Sequence, residues 1–109
     1  MAHYVLVESR DPFESNDVPY LYGLAGDLAA GGENVTLFLV QNGALATRKE
    51  ATGNPLGGVL KRKVQVLVDD FSLRERGILK SEMDPAIKSA TMDDLVDRIM
   101  EAGAKVLWH

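Results

Sequence analysis

Cysteine is absent from this chain. That removes disulfides, thiolate metal sites and thiol nucleophiles together. Imidazole is scarce: only His3 and His109 carry it, one near each end of the sequence, so no transition-metal site is expected. Positive charge is in deficit, with 12 Lys and Arg against 16 Asp and Glu and a formal net charge of −4. Such a chain has no basic face in bulk to neutralise a phosphate backbone, so nucleic acid is not an expected partner. Long apolar runs are missing as well. None approaches the roughly 20 residues that span a bilayer, and Glu8 interrupts the first apolar stretch before it is long enough for a signal-peptide core. From these absences a soluble, cytoplasmic protein with no membrane partner is expected.

What is present suits one globular domain spanning residues 1–109, with 46 % hydrophobic and 26 % charged residues. Four apolar runs, Tyr4–Val7, Val35–Val40, Val64–Val68 and Lys105–Trp108, are short, rich in Val and Leu, and do not alternate with polar residues. That pattern predicts strands buried on both faces of a parallel sheet. Ala86–Ser89 is a weaker fifth strand. Between the runs, Leu21, Leu24, Ala25 and Leu28 share one helical face, with Asp17 as cap, Pro19 in the first turn and Gly31-Gly32 as terminator. Thr91 caps a last helix in which Leu95, Val96, Ile99 and Met100 are expected to face inward, and Gly103 closes it. A helix is expected from about Ala44, broken at Gly53-Asn54-Pro55 and resuming through Lys61, with a short one over Phe71–Arg76 that stops at Gly77. Strand and helix alternating in this way imply right-handed crossovers and a three-layer α/β/α sandwich around a mostly parallel five-stranded sheet.

In such sheets ligands bind beyond the carboxyl ends of the strands. The candidate pocket is therefore Ser9 and Arg10 after strand 1, Gln41 and Asn42 after strand 2, and Asp69 and Asp70 after strand 3. Two readings stand for the aspartate pair. It is a carboxylate site for a hard cation or for acid–base work, or Asp70 caps the short helix while Asp69 is solvated at the rim. A phospho-acceptor receiver site is disfavoured, because strand 1 ends in Val7-Glu8-Ser9 rather than an acidic pair and Lys105 begins the last strand instead of following it. Gly53, Gly57 and Gly58 lack the lysine and serine that end a P-loop and read as turn residues. Lys61-Arg62-Lys63 reads as a solvated helix end. Ser9 has no base positioned by any motif, and neither a metal nor a cofactor is expected.

Phe38-Leu39-Val40-Gln41-Asn42-Gly43-Ala44, Arg74-Glu75-Arg76-Gly77-Ile78, Thr91-Met92-Asp93-Asp94-Leu95 and Val106-Leu107-Trp108 follow one another at spacings that resemble the DsrE/DsrF/DsrH (TusB/TusC/TusD-like) sulfur-relay family. The resemblance spans nearly the whole chain except about residues 48–59. It implies the five-stranded α/β/α fold, a role in cytoplasmic sulfur trafficking, and assembly either as a homo-oligomer (dimer or trimer) or with cysteine-bearing DsrE-like subunits. It also places the persulfide-carrying cysteine of the DsrE branch at, or within one residue of, Asp69. A carboxylate cannot hold a sulfane sulfur. The expected function is accordingly a non-catalytic interaction or scaffold subunit, and the alternative is a stand-alone domain that binds a small ligand or ion in the strand-end pocket.

Overall fold

Three of the apolar runs form the middle of the sheet. In the computed structural model, which describes residues 3–49 and 54–109, β1 (His3–Glu8), β2 (Asn34–Leu39) and β3 (Val64–Asp69) lie side by side. β4 (Lys88–Ala90) flanks β3 and β5 (Ala104–Trp108) flanks β1. The order is β4-β3-β2-β1-β5, and every adjacent pair is parallel.

Parallel neighbours need crossover connections, and their direction sorts the helices. The chain steps from β1 to β4 in one direction across the sheet. This places α1 (Val18–Ala30), a 3-10 segment (Gln41–Thr47), α2 (Leu56–Leu60) and α3 (Asp70–Glu75) on one face. The return from β4 to β5 carries α4 (Met92–Ile99) over the other face. On the first, broad face, Leu6, Leu37, Leu39, Val66 and Val68 pack under α1 and its neighbours. On the second, narrow face, Val5, Val7, Phe38, Val40 and Leu67 pack against Leu95. The α/β/α sandwich with a five-stranded sheet is as expected, and the sheet is parallel throughout.

Several local expectations need correction. The last run is an edge strand: Val106, Leu107 and Trp108 are exposed rather than buried on both faces. α4 is too short and too near the sheet margin to bury its whole apolar set, so Leu95 is buried while Val96 and Met100 are exposed. Leu24 likewise lies on the outer side of α1. Asp17 occupies the cap position of α1 but makes no side-chain capping bond. The segment at Ala44 is a 3-10 helix that begins directly after β2, α3 starts one residue before Phe71, and β4 lies later than Ala86–Ser89. Of the expected break at Gly53-Asn54-Pro55, Gly53 lies outside the described residues, while Asn54 and Pro55 precede α2 without being helical. Gly32 and Gly77 take positive φ where helices were expected to stop, at 91° and 64°.

Candidate functional site

Two polar clusters occupy the carboxyl ends of the strands. The first joins β2 to β3. After Val40 the backbone turns sharply: the Gly43 N–H donates to the Val40 carbonyl at 2.8 Å, and the Val40 N–H donates to the Glu8 carbonyl at 3.0 Å. Gly43 passes so close to that Glu8 carbonyl that a Cβ there would collide with backbone, so only glycine fits. Gln41 absorbs the turn with a φ of 50°, in the left-handed region that non-glycine residues seldom occupy. Its N–H donates to Ser72 Oγ at 2.8 Å, and Ser72 Oγ in turn donates to Asp69 Oδ2 at 2.7 Å. The Ser72 N–H donates to the same oxygen at 3.0 Å.

Asp69, not Asp70, is therefore the cap of α3, and it is buried at 2 % exposure rather than solvated at a rim. The reason is geometric. Asp69 is the last residue of β3, so its side chain enters the seam where α3 folds back, whereas Asp70 has already turned outward and pairs with Arg74 at 3.6 Å. Among the described residues, Asp69 Oδ1 has no hydrogen-bond partner. Arg76 completes this cluster by donating to Asn42 Oδ1 at 2.9 and 3.1 Å.

The second cluster joins β1 to β5. Glu8 is fully buried, and its two carboxylate oxygens lie 2.7 and 2.8 Å from His109 Nδ1. Glu8 Oε2 also accepts the Arg10 N–H at 3.0 Å. Ser9 donates through Oγ to the His109 carbonyl at 2.8 Å, so its hydroxyl serves the strand junction and does not address the imidazole ring. Asp11 is buried as well and accepts the N–H groups of Phe13 and Glu14 at 2.9 and 3.0 Å. Tyr22 is buried too, its hydroxyl unpartnered among the described residues. Burial pushes this phenol far above its ordinary range, and the Glu8 and Asp11 carboxylates push it further.

Of the six candidate residues, Gln41, Asn42 and Asp69 thus belong to one bonded cluster, with Asp70 on its outer side, and Ser9 and Arg10 belong to the other. Asn42 is the link. With Arg10, Asp11, Glu14 and Ser15 it lines a shallow pocket of about 190 Å³, which neither aspartate of the pair reaches. Among the described residues, no three His, Asp or Glu side chains converge to hold a metal ion. The Glu8–His109 pair went unseen in the sequence because the residues lie at opposite ends of the chain. The usable signal was positional: each sits at the end of a strand, and only the pairing of β5 with β1 brings them together.

Comparison with solved structures places this fold beside two proteins along their whole length. The YchN protein from E. coli superposes with a TM-score of 0.87 at 22 % identity, with 100 % of each chain covered. MTH1491 from Methanobacterium thermoautotrophicum, described as a protein of unknown function, superposes with a TM-score of 0.83 at 12 % identity and the same coverage. No family model matches the sequence, and no curated protein matches it. At these identities the likeness establishes the fold.

Proposed function

We propose that this chain is a non-catalytic interaction or scaffold subunit of an intracellular sulfur-trafficking assembly of the DsrE/DsrF/DsrH kind. The observation that carries this reading is the state of Asp69. At the end of β3, where the family resemblance expects the sulfur-carrying cysteine, this residue is buried and holds Ser72 and the start of α3 in place. The position has become part of the frame. Sulfane sulfur transfer needs a nucleophile that forms and releases a sulfur–sulfur bond, which in proteins means a cysteine thiolate, and the chain has none. Its methionines are thioethers and cannot be deprotonated. The full-length superposition on YchN supports the architecture the reading requires.

The experiment is a pull-down of the tagged protein from its native cell extract, followed by mass spectrometry. Stoichiometric recovery of a cysteine-bearing homologue is expected. Incubating the pure protein with a persulfide-loaded sulfurtransferase should leave its intact mass unchanged, and a reductant-reversible gain of one sulfur atom would overturn the proposal.

A second reading is favoured by a separate observation, the strand-end pocket that Arg10, Asp11, Glu14, Ser15 and Asn42 line. The pocket, about 190 Å³, is smaller than the roughly 300–1,000 Å³ of ordinary small-molecule sites, so it suits an ion or a very small metabolite. Recovery of the protein alone, with such a molecule retained through native mass spectrometry, would favour this reading over the scaffold.

A further inference from the structure

The two edges of the sheet are finished differently. β4 is three residues long and polar, which is how an edge is protected from further pairing. β5 is five residues long, carries no proline or glycine, and exposes side chains on both of its faces. Among the described residues nothing pairs with its outer side.

Its free backbone groups can be assigned. The His109 N–H donates to the Val7 carbonyl and the His109 carbonyl accepts the Ser9 N–H, each at 2.8 Å, so the backbone of His109 faces β1. Strand alternation then turns the N–H and C=O groups of Val106 and Trp108 away from β1, toward the open edge. Register with Val5 and Val7 places the side chains of these two residues on the narrow face.

α4 adds a wall to that surface. Arg98 donates to Gln65 on β3 at 3.2 Å, which fixes one flank of the helix toward the centre of the sheet. Met92, Val96 and Met100, spaced at i, i+4 and i+8, lie on the opposite flank, toward β5, and all three are exposed. Open backbone, apolar strand and apolar helix flank therefore border one another.

We infer that this edge is the interface for a second copy of the chain, formed by antiparallel pairing of β5 with its symmetry mate. A two-fold axis through Val106 makes the two Val106 residues exchange N–H···O=C bonds, sets Trp108 over the small Ala104 of the mate, and faces the two α4 flanks toward each other. One symmetric contact covers the open backbone, the strand and the helix flank together. The alternative register about Leu107 sets Trp108 opposite the larger Val106 of the mate instead of Ala104. Complete burial of what remains exposed of Val106, Trp108, Val96, Met100 and Met92, which border the narrow face, removes at most roughly 550 Å² per copy, about 1,100 Å² in total, close to the lower bound for a specific interface.

This inference deepens the scaffold reading by naming a surface for assembly, but it is tested on the purified chain alone. Sedimentation velocity at micromolar concentration is expected to show a dimer. Val106→Pro removes an N–H that the fold itself does not use, and edge strands tolerate proline, so this variant should stay folded and dimerise roughly tenfold more weakly or not at all. Met100→Lys, on an exposed helix flank, should weaken the dimer independently of any change in the strand. Circular dichroism and thermal melts confirm that each variant is folded. A monomeric wild type at these concentrations, or an oligomer that survives both substitutions, overturns the inference. Neither outcome touches the sulfur-transfer and pull-down experiments, so the two proposals fail separately.

Discussion

The two faces of the sheet follow different designs. On the broad face, α1, the 3-10 segment, α2 and α3 cover β1 to β3 with a continuous apolar layer. On the narrow face a single eight-residue helix does the work, and its only fully buried anchor is Leu95. The narrow face is also interrupted by polar groups. His3 bonds Thr36 at 3.0 Å, Thr36 donates to Gln65 at 3.3 Å, and Gln65 accepts from Arg98, so a polar row crosses the sheet near the amino ends of the strands. Apolar packing on that face is thereby confined to its carboxyl half and to the margin at β5. The contrast teaches that a fold can be closed on one side while apolar side chains stay exposed at the margin of the other.

The largest expected effects probe the two cores directly. Phe38→Ala removes the biggest buried side chain of the narrow face and should destabilise the fold by about 3–5 kcal/mol in urea titrations. Leu95→Ala should cost about 2–5 kcal/mol. Because α4 is the one helix on that face among the described residues, hydrogen exchange should show the loss concentrated in α4 and β5, while α1 stays protected. Uniform loss of protection would mean that the two faces are one cooperative unit.

Next in size is the crossing of β1 by the segment after β2. Gly43→Ala sets a Cβ against the Glu8 carbonyl, and a backbone obstacle cannot swing aside as a side chain can. A loss of about 1–3 kcal/mol is expected, read as a lowered melting temperature. The aspartate pair then separates the frame from the surface. Asp69→Ala removes the α3 cap and the Ser72 partner and should cost about 1–2 kcal/mol. Asp70→Ala breaks only an exposed pair and should fall within about 0.5 kcal/mol of wild type. Equal losses at the two positions would contradict the assignment of Asp69 as the cap.

The last prediction concerns pH and the broad face. The Tyr22 phenol is held protonated in the folded state at pH values where the unfolded chain releases its proton. Its contribution is complete below the unfolded value of about 10 and is lost as pH rises toward the folded one. Stability should therefore fall on the alkaline side of about pH 10, and Tyr22→Phe should flatten that fall. An identical alkaline limb in both proteins would show that other groups set it.

Part of this was legible in the residues and part was not. Gly77 was readable as a helix stop and Thr91 as a cap because both work over a single turn of chain. Asp69 and Asp70 were readable as a strand-end pair, but which one caps and which one faces water depends on where β3 ends against α3. Val96 and Met100 have the right spacing for a core, and Trp108 closes a run as apolar as β1. Nothing local separates a run that will be central from one that will be an edge.

The sequence by itself determined the alternation of strand and helix, the parallel α/β class, the places where helices start and stop, and the impossibility of thiol chemistry. These follow from periodicity, from backbone preferences of single residues and from composition, all of which act over a few residues or none. The tertiary structure alone decided that β5 lies outside β1 instead of beside β4, and the consequences follow from that placement. It brings Glu8 to His109 across nearly the whole chain, turns Trp108 to the surface, and leaves α4, among the described residues, as the sole cover of one face. Strand order is set by which crossovers bury the most apolar surface together, a property of the whole packed sheet that no single segment encodes.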